Sequence, residues 1–212
     1  MNLPVVLLLE GLLYVVAFGV LSLLRREGLS GQFAFEATTI TIIASGLTAL
    51  TGFPTHPVLF LVILYLLTMR VRLLVDIANI LAQRNMLNQA DRLYTLAARL
   101  WPDRTSYLIV RINLGTLRLH QGALDEAIDT FKEILQKSSQ GHLGVKHEAV
   151  THYNLGVAYR RKKLEAQAIV EFAAVLDTWP TSEYARRAEA ALAKGRYKDK
   201  PSTTGEDTPG EK

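Results

Sequence analysis

Few side chains in this sequence stand where chemistry could be done. Glu10 is the one carboxyl inside a long apolar run, LPVVLLLEGLLYVVAFGVLSLL. A charge at such depth defaults to a relay or substrate site, but one acid without a basic partner is poor equipment for transport. We therefore read Glu10 as a protonated or hydrogen-bonded group that helps helices pack. The histidines are His56, His120, His142, His147 and His152. The last three are each five apart, off the three-to-four spacing that puts two metal ligands on one helix face. They read as solvated or packed side chains. Arg160-Arg161-Lys162-Lys163 could hold phosphate or acidic lipid. It sits at a turn between helices, where solvated cations are ordinary and favour the helix C-terminus. There is no cysteine, and neither a phosphate-cradling glycine loop nor a nucleophile elbow occurs. These absences point away from an enzyme and from a bound cofactor or metal. No interleaved aromatic surface points to nucleic acid.

What remains is a pair of amides, Asn113 and Asn154, and the elements that must position them. The stretch from His147 to Pro180, HEAVTHYNLGVAYRRKKLEAQAIVEFAAVLDTWP, reads as two helices. Leu155, Gly156 and Tyr159 share a face of the first; Ala168, Phe172 and Val175 share a face of the second. Pro180 stops the second helix, because its ring cannot continue the hydrogen-bond ladder. Gly156 and Ala168 are small enough for two antiparallel helices to approach closely, and Leu155, Tyr159 and Phe172 fill the space around that contact.

This spacing resembles the tetratricopeptide repeat (TPR), a helix–turn–helix unit of about 34 residues with Leu-Gly, Tyr, Ala, Phe and Pro at set offsets. His152 replaces the early aromatic, and Val175 stands where a small residue is usual. One repeat cannot bury its own apolar face, so neighbours are required. Upstream, Ala90, Tyr94, Ala97 and Pro102 reproduce the second-helix offsets. The first helix of that unit is expected over about Val71–Gln83, with Leu74, Ile77, Ala78 and Leu81 inward. The middle unit, about 106–140, carries Leu114-Gly115, Gly122, Ala127 and Phe131. Arg118 takes its aromatic place, Ile134 a small one, and its closing proline is missing. The fold class expected is all-α: transmembrane helices, then a three-repeat TPR solenoid (71–104, 106–140, 147–180) sealed by a helix over 183–194 that ends at Gly195. A disordered tail is expected over 198–212.

The resemblance implies a groove lined by first helices that holds a peptide or a partner helix. By position in the motif its residues are Ile112, Asn113, Thr116 and His120, then Tyr153, Asn154, Val157, Arg160 and Arg161. In several TPR proteins a side chain at the place shared by Asn113 and Asn154 bonds the ligand backbone. An amide suits that, since it both donates and accepts. The lysines and arginines by which chaperone-binding TPRs clamp a terminal carboxylate are not reproduced.

The first third of the chain, 1–70, is nearly free of charge and reads as a membrane anchor. Residues 3–24 are long enough to cross a hydrocarbon core of roughly 30 Å at about 1.5 Å per residue. Residues 33–50 are Thr-rich and small, suited to packing against other spans. Residues 57–75 form a third segment, with Pro57 as its first helical residue and its arginines snorkelling to the headgroups. No Gly or Pro separates Pro57 from Asn85, so the third segment should run straight into the first repeat. Glu36 should be solvated, and Ser45 and Tyr65 should lie near the depth of Glu10. If all three segments cross, Arg25-Arg26, Arg70 and Arg72 stay cytoplasmic, with the N-terminus outside and the repeats inside. The function expected is a membrane-anchored adaptor that binds a protein or peptide partner. The alternative is a structural subunit or assembly factor recognised through its transmembrane helices.

Overall fold

The computed structural model describes residues 2–24, 30–138 and 143–198. These form ten helices and no strand. The expected tail, from 199 on, lies outside the described residues, as do Arg25-Arg26 and His142.

Helices α1 (Leu3–Leu24) and α2 (Gly31–Thr51) are each long and apolar enough to cross a membrane. They pack as an antiparallel pair. A side chain at Gly11 would collide with Thr41, so the helices touch most closely there. The small polar face of α2 turns inward. Thr41 donates to the Ala37 carbonyl at 2.7 Å, Ser45 to the Pro4 carbonyl at 2.8 Å, and Thr48 shares a 3.0 Å bond with Thr55. Ser45 thus lies opposite Pro4, more than a turn from Glu10. The other face of α2 is left aliphatic, with Ile42, Ile43 and Leu47 exposed.

α3 (Pro57–Thr68) packs on both, burying Phe60 and Leu64 against Leu7 and Ala37. Tyr14, Phe18, Phe33 and Tyr65 gather at the end where α1 hands over to α2. The expected unbroken helix from 57 to 85 is not what forms. The chain breaks at Met69 (φ −98°, ψ 7°), and α4 (Arg70–Gln83) leaves at 69° to α3. α3 has 12 residues. That is about 18 Å, short of a crossing by itself.

Arg70 sits at the break and ties it to its surroundings. Its guanidinium donates to Glu36 at 2.5 and 3.0 Å, to the Leu67 carbonyl at 2.8 Å, and to the carbonyls of Leu100 and Trp101 at 3.0 and 3.2 Å. Five bonds to three elements hold the bend. Arg70 does not snorkel, and Glu36 is paired rather than solvated; each keeps only about a quarter of its side chain exposed.

Three helix hairpins follow: α4 with α5 (Leu87–Arg99), α6 (Arg104–Gln121) with α7 (Leu124–Ser138), and α8 (Val145–Arg161) with α9 (Glu165–Thr178). Each hairpin packs on the next, and α10 (Glu183–Lys198) packs on the last. One nest recurs in all three. Residues 78, 115 and 156 are Ala, Gly and Gly; sixteen positions later stand Tyr94, Phe131 and Phe172. A Cβ built on Gly115 would lie 2.7 Å from Phe131, and one on Gly156 2.9 Å from Phe172. The first hairpin, with Ala78, carries Tyr94, whose buried hydroxyl donates to Asn79 at 2.5 Å. Burial pushes its pKa up to about 12, so it stays a donor at neutral pH. Ala90, Ala127 and Ala168 are fully buried one turn before each aromatic. Ile77, expected inward, is 49 % exposed, and Val75 is buried instead. The core side of α4 is set by Leu74, Ala78 and Leu81, and Ile77 falls beyond its edge.

The turns recur as well. Asn85, Gly122 and Lys163, each seven residues past the nest residue, have φ of 61°, 83° and 61°. The next amide in each case bonds five residues back: Met86 to Leu81, Ala123 to Arg118, Leu164 to Tyr159. This is a left-handed helix stop that closes the last turn. Lys163 carries the steric cost of a Cβ there, about 1–2 kcal/mol, of which glycine's greater unfolded freedom would offset about 0.5–1. Lys163→Gly should therefore stabilise the chain by about 0.5–1 kcal/mol, read as a thermal midpoint raised by about 2–4 °C.

α10 begins at Ser182, whose hydroxyl accepts from the Ala185 amide at 2.9 Å. It runs through Gly195, where a stop was expected, to Lys198. A glycine ends a helix only when its backbone turns left-handed.

Candidate binding groove

α6, α8 and α10 together enclose an open cavity of about 370 Å³. Eight of the nine residues singled out in the sequence line it: Ile112, Asn113, Thr116 and His120 from α6, and Tyr153, Asn154, Val157 and Arg161 from α8. They converge because both helices present one face at a spacing of three to four. Ile112 is 4 % exposed and forms floor rather than wall.

Arg160 is not among the lining residues. At about 100° per residue it lies about 80° round α8 from Val150 and about 60° from Val157, just past the margin of the lining face. Its guanidinium stacks over Phe172, 4.6 Å from the ring centre, and pairs with Glu165 at 3.0 Å. Its work is inside the third hairpin. Two more residues of the basic run are also committed. Arg161 donates to the Leu119 carbonyl at 2.7 Å, and Lys162 pairs with Asp125.

The two asparagines hold equivalent places but bond differently. Asn154 reaches across to α6 and donates to the Thr116 hydroxyl at 3.0 Å. Thr116 in turn donates to the Ile112 carbonyl at 2.9 Å. Asn113 donates within its own helix, to the Ile109 carbonyl at 3.0 Å. Each bond uses one amide hydrogen; a second hydrogen and the oxygen belong to the same side chain. The lining therefore offers amides, an imidazole and two guanidiniums, Arg161 and Arg187, the second paired with Glu183 at 2.5 Å. Such a surface suits backbone amides and acidic side chains.

Four lining residues escaped the sequence reading: Leu119, Val150, Tyr184 and Arg187. Val150 was findable, since it precedes Tyr153 and Asn154 by one turn on the same face. Tyr184 and Arg187 belong to α10, to which the pattern assigns only a sealing role. The structure brings Tyr184 to 5.5 Å from Tyr153, ring to ring, so α10 forms a wall of the groove.

Two residues that depart from the repeat pattern make polar contacts across helices instead. Arg118, at an aromatic's place, bridges Asp91 of α5 at 3.0 Å and Glu126 of α7 at 3.2 Å. His152 lies 2.7 Å from Glu171 of α9. No family model matches this chain, and no curated protein matches it.

Proposed function

We propose that this chain is a membrane-anchored, non-enzymatic TPR adaptor. α1 and α2 are its spans, the three hairpins are TPR units, and the groove between α6, α8 and α10 binds a segment of a partner protein. The observation that carries this reading is the nest-and-turn unit repeated three times. Two of its first helices, α6 and α8, line one cavity, and the amides of Asn113 and Asn154 stand in that lining. The cationic lining favours a segment with acidic side chains. The groove spans two first helices and α10, so affinity is modest and partner-specific.

The N-terminus lies outside and the hairpins lie on the cytoplasmic side. Support comes from where the cations gather. Glu36, which pairs with Arg70, lies in the second turn of α2, and Arg25-Arg26 fall between α1 and α2 in the sequence. Arg70 thus lies at the end of the bundle where α2 begins, whether or not α3 completes a crossing.

Affinity capture from detergent-solubilised membranes, read by mass spectrometry, tests the groove. A lost amide bond costs about 1 kcal/mol, so Asn113→Ala with Asn154→Ala should retain about one-tenth or less of the partner. Circular dichroism of the same variant should show its helix content unchanged. Unaltered recovery of the partner would remove the groove from the account.

The alternative, a complex subunit recognised through its spans, rests on the Thr-rich character of α2. Those hydroxyls bond inside the bundle, which leaves an aliphatic face for lipid or a neighbouring helix. Exchanging residues 1–68 for an unrelated anchor separates the readings: the adaptor keeps its partner, the subunit loses it.

A further inference from the structure

Two tryptophans occupy equivalent places and point opposite ways. Trp101 and Trp179 each follow the nest aromatic by seven residues and each precede a proline. Trp179 has φ −148° and packs against the core. Trp101 has φ 53° and is 82 % exposed. A left-handed backbone at a bulky residue is uncommon and persists only where its surroundings hold it. Here the membrane bundle holds it. The Trp101 carbonyl accepts from Gln32 at 2.8 Å and from Arg70 at 3.2 Å. Gln32 is the second residue of α2, so these bonds fix Trp101 at the level where that span begins.

α4 departs from the same point. α3 runs alongside α1 and α2, and α4 is bent 69° from it, so α4 travels closer to the membrane plane than to its normal. Its core side packs on α5 and α6. On the other side Ile77 and Ile80 are 49 % and 50 % exposed, an apolar stripe along α4.

We propose that the first hairpin rests on the bilayer, with Ile77, Ile80 and Trp101 entering the boundary between headgroups and acyl chains. Indole rings favour that boundary, and an amphipathic helix lies in its plane with the apolar side down. The occupant of the face is lipid, because Trp101 is tied to the start of α2 through Gln32 and α4 leaves the bundle at the adjoining Met69. The inference rests on the reading that α1 and α2 cross the same bilayer.

The test uses the full chain in vesicles of phosphatidylcholine and phosphatidylglycerol, with Trp179→Phe leaving Trp101 as the sole indole. Lipids brominated at chosen depths are the quenchers. Bromine near the headgroup end of the chains should remove at least about half of Trp101 fluorescence, and deeper bromine less. Ile77→Ser with Ile80→Ser should weaken that quenching; unchanged quenching would take α4 out of the contact. A second reporter, Leu13→Trp with both native tryptophans changed to Phe, sits on the exposed middle of α1. Deep bromine should quench it. Quenching there with none at Trp101 would overturn the inference and leave the spans standing. No quenching at either would overturn both. A blue-shifted Trp101 that lipid bromine does not reach would assign the face to a protein surface and overturn the proposal.

Discussion

Phe172→Ala is expected to lower the stability of the helical stack by about 3–5 kcal/mol, the cost of emptying a fully buried aromatic site. For a helical domain of this size the thermal midpoint should fall by about 10–20 °C, measured by far-ultraviolet circular dichroism of the full chain in detergent. Phe172 is 1 % exposed and fills the space that Gly156 leaves open. That relation makes a sharper expectation. Gly156→Leu alone should destabilise by about 1–3 kcal/mol, because its side chain meets the ring, even though leucine is the better helix former. Together the two changes should cost less than their sum by about 1–3 kcal/mol, as the leucine occupies the vacated volume. Strict additivity would mean that the nest is not a single packing unit. Phe131 with Gly115 should behave alike, since the approach there is tighter by two-tenths of an ångström.

Arg70→Ala should free the joint between bundle and stack. The guanidinium satisfies Glu36 and three backbone carbonyls at once. Removing it leaves those acceptors in partly buried surroundings, a loss of about 2–3 kcal/mol after allowing for the solvent that reaches them. The larger effect is on geometry. With the bend no longer held, α4 can swing about Met69. Spin labels on α2 and α5 should give a narrow distance distribution in the native chain and a broad one in the variant. An equally narrow distribution in Arg70→Ala would show that packing alone sets the bend. Glu36→Gln should broaden it less, because an amide oxygen still accepts from Arg70.

The small-then-aromatic spacing was legible because it is local. Gly156 and Phe172 belong to adjoining helices joined by a tight turn, so a sixteen-residue offset carries its own geometry. Eight residues of the cavity lining were reached from their places in the repeat pattern, which names positions on each first helix. Side chains three and four apart on α6 and α8 must share a face, whatever those helices pack against. Arg160 was misplaced because it sits at the margin of that face, where the pull of Phe172 and Glu165 decides its direction. Tyr184 and Arg187 were missed because α10 closes on the groove through packing with α8 and α9, and no spacing within α10 records it.

The apolar first third, most of the helices and the recurrence of the small-then-aromatic pair follow from the sequence alone, because each depends on residues within one helix or on two helices joined by a tight turn. The break at Met69, the pairing of Glu36 with Arg70, the outward turn of Trp101 and the exposure of Ile77 were decided only in three dimensions. Each depends on groups that lie far apart along the chain or on which side of a helix its neighbours happen to cover. Arg70 is 34 residues from Glu36 and 31 from Trp101. A charge seeking partners over such separations leaves no periodic trace in the residues around it.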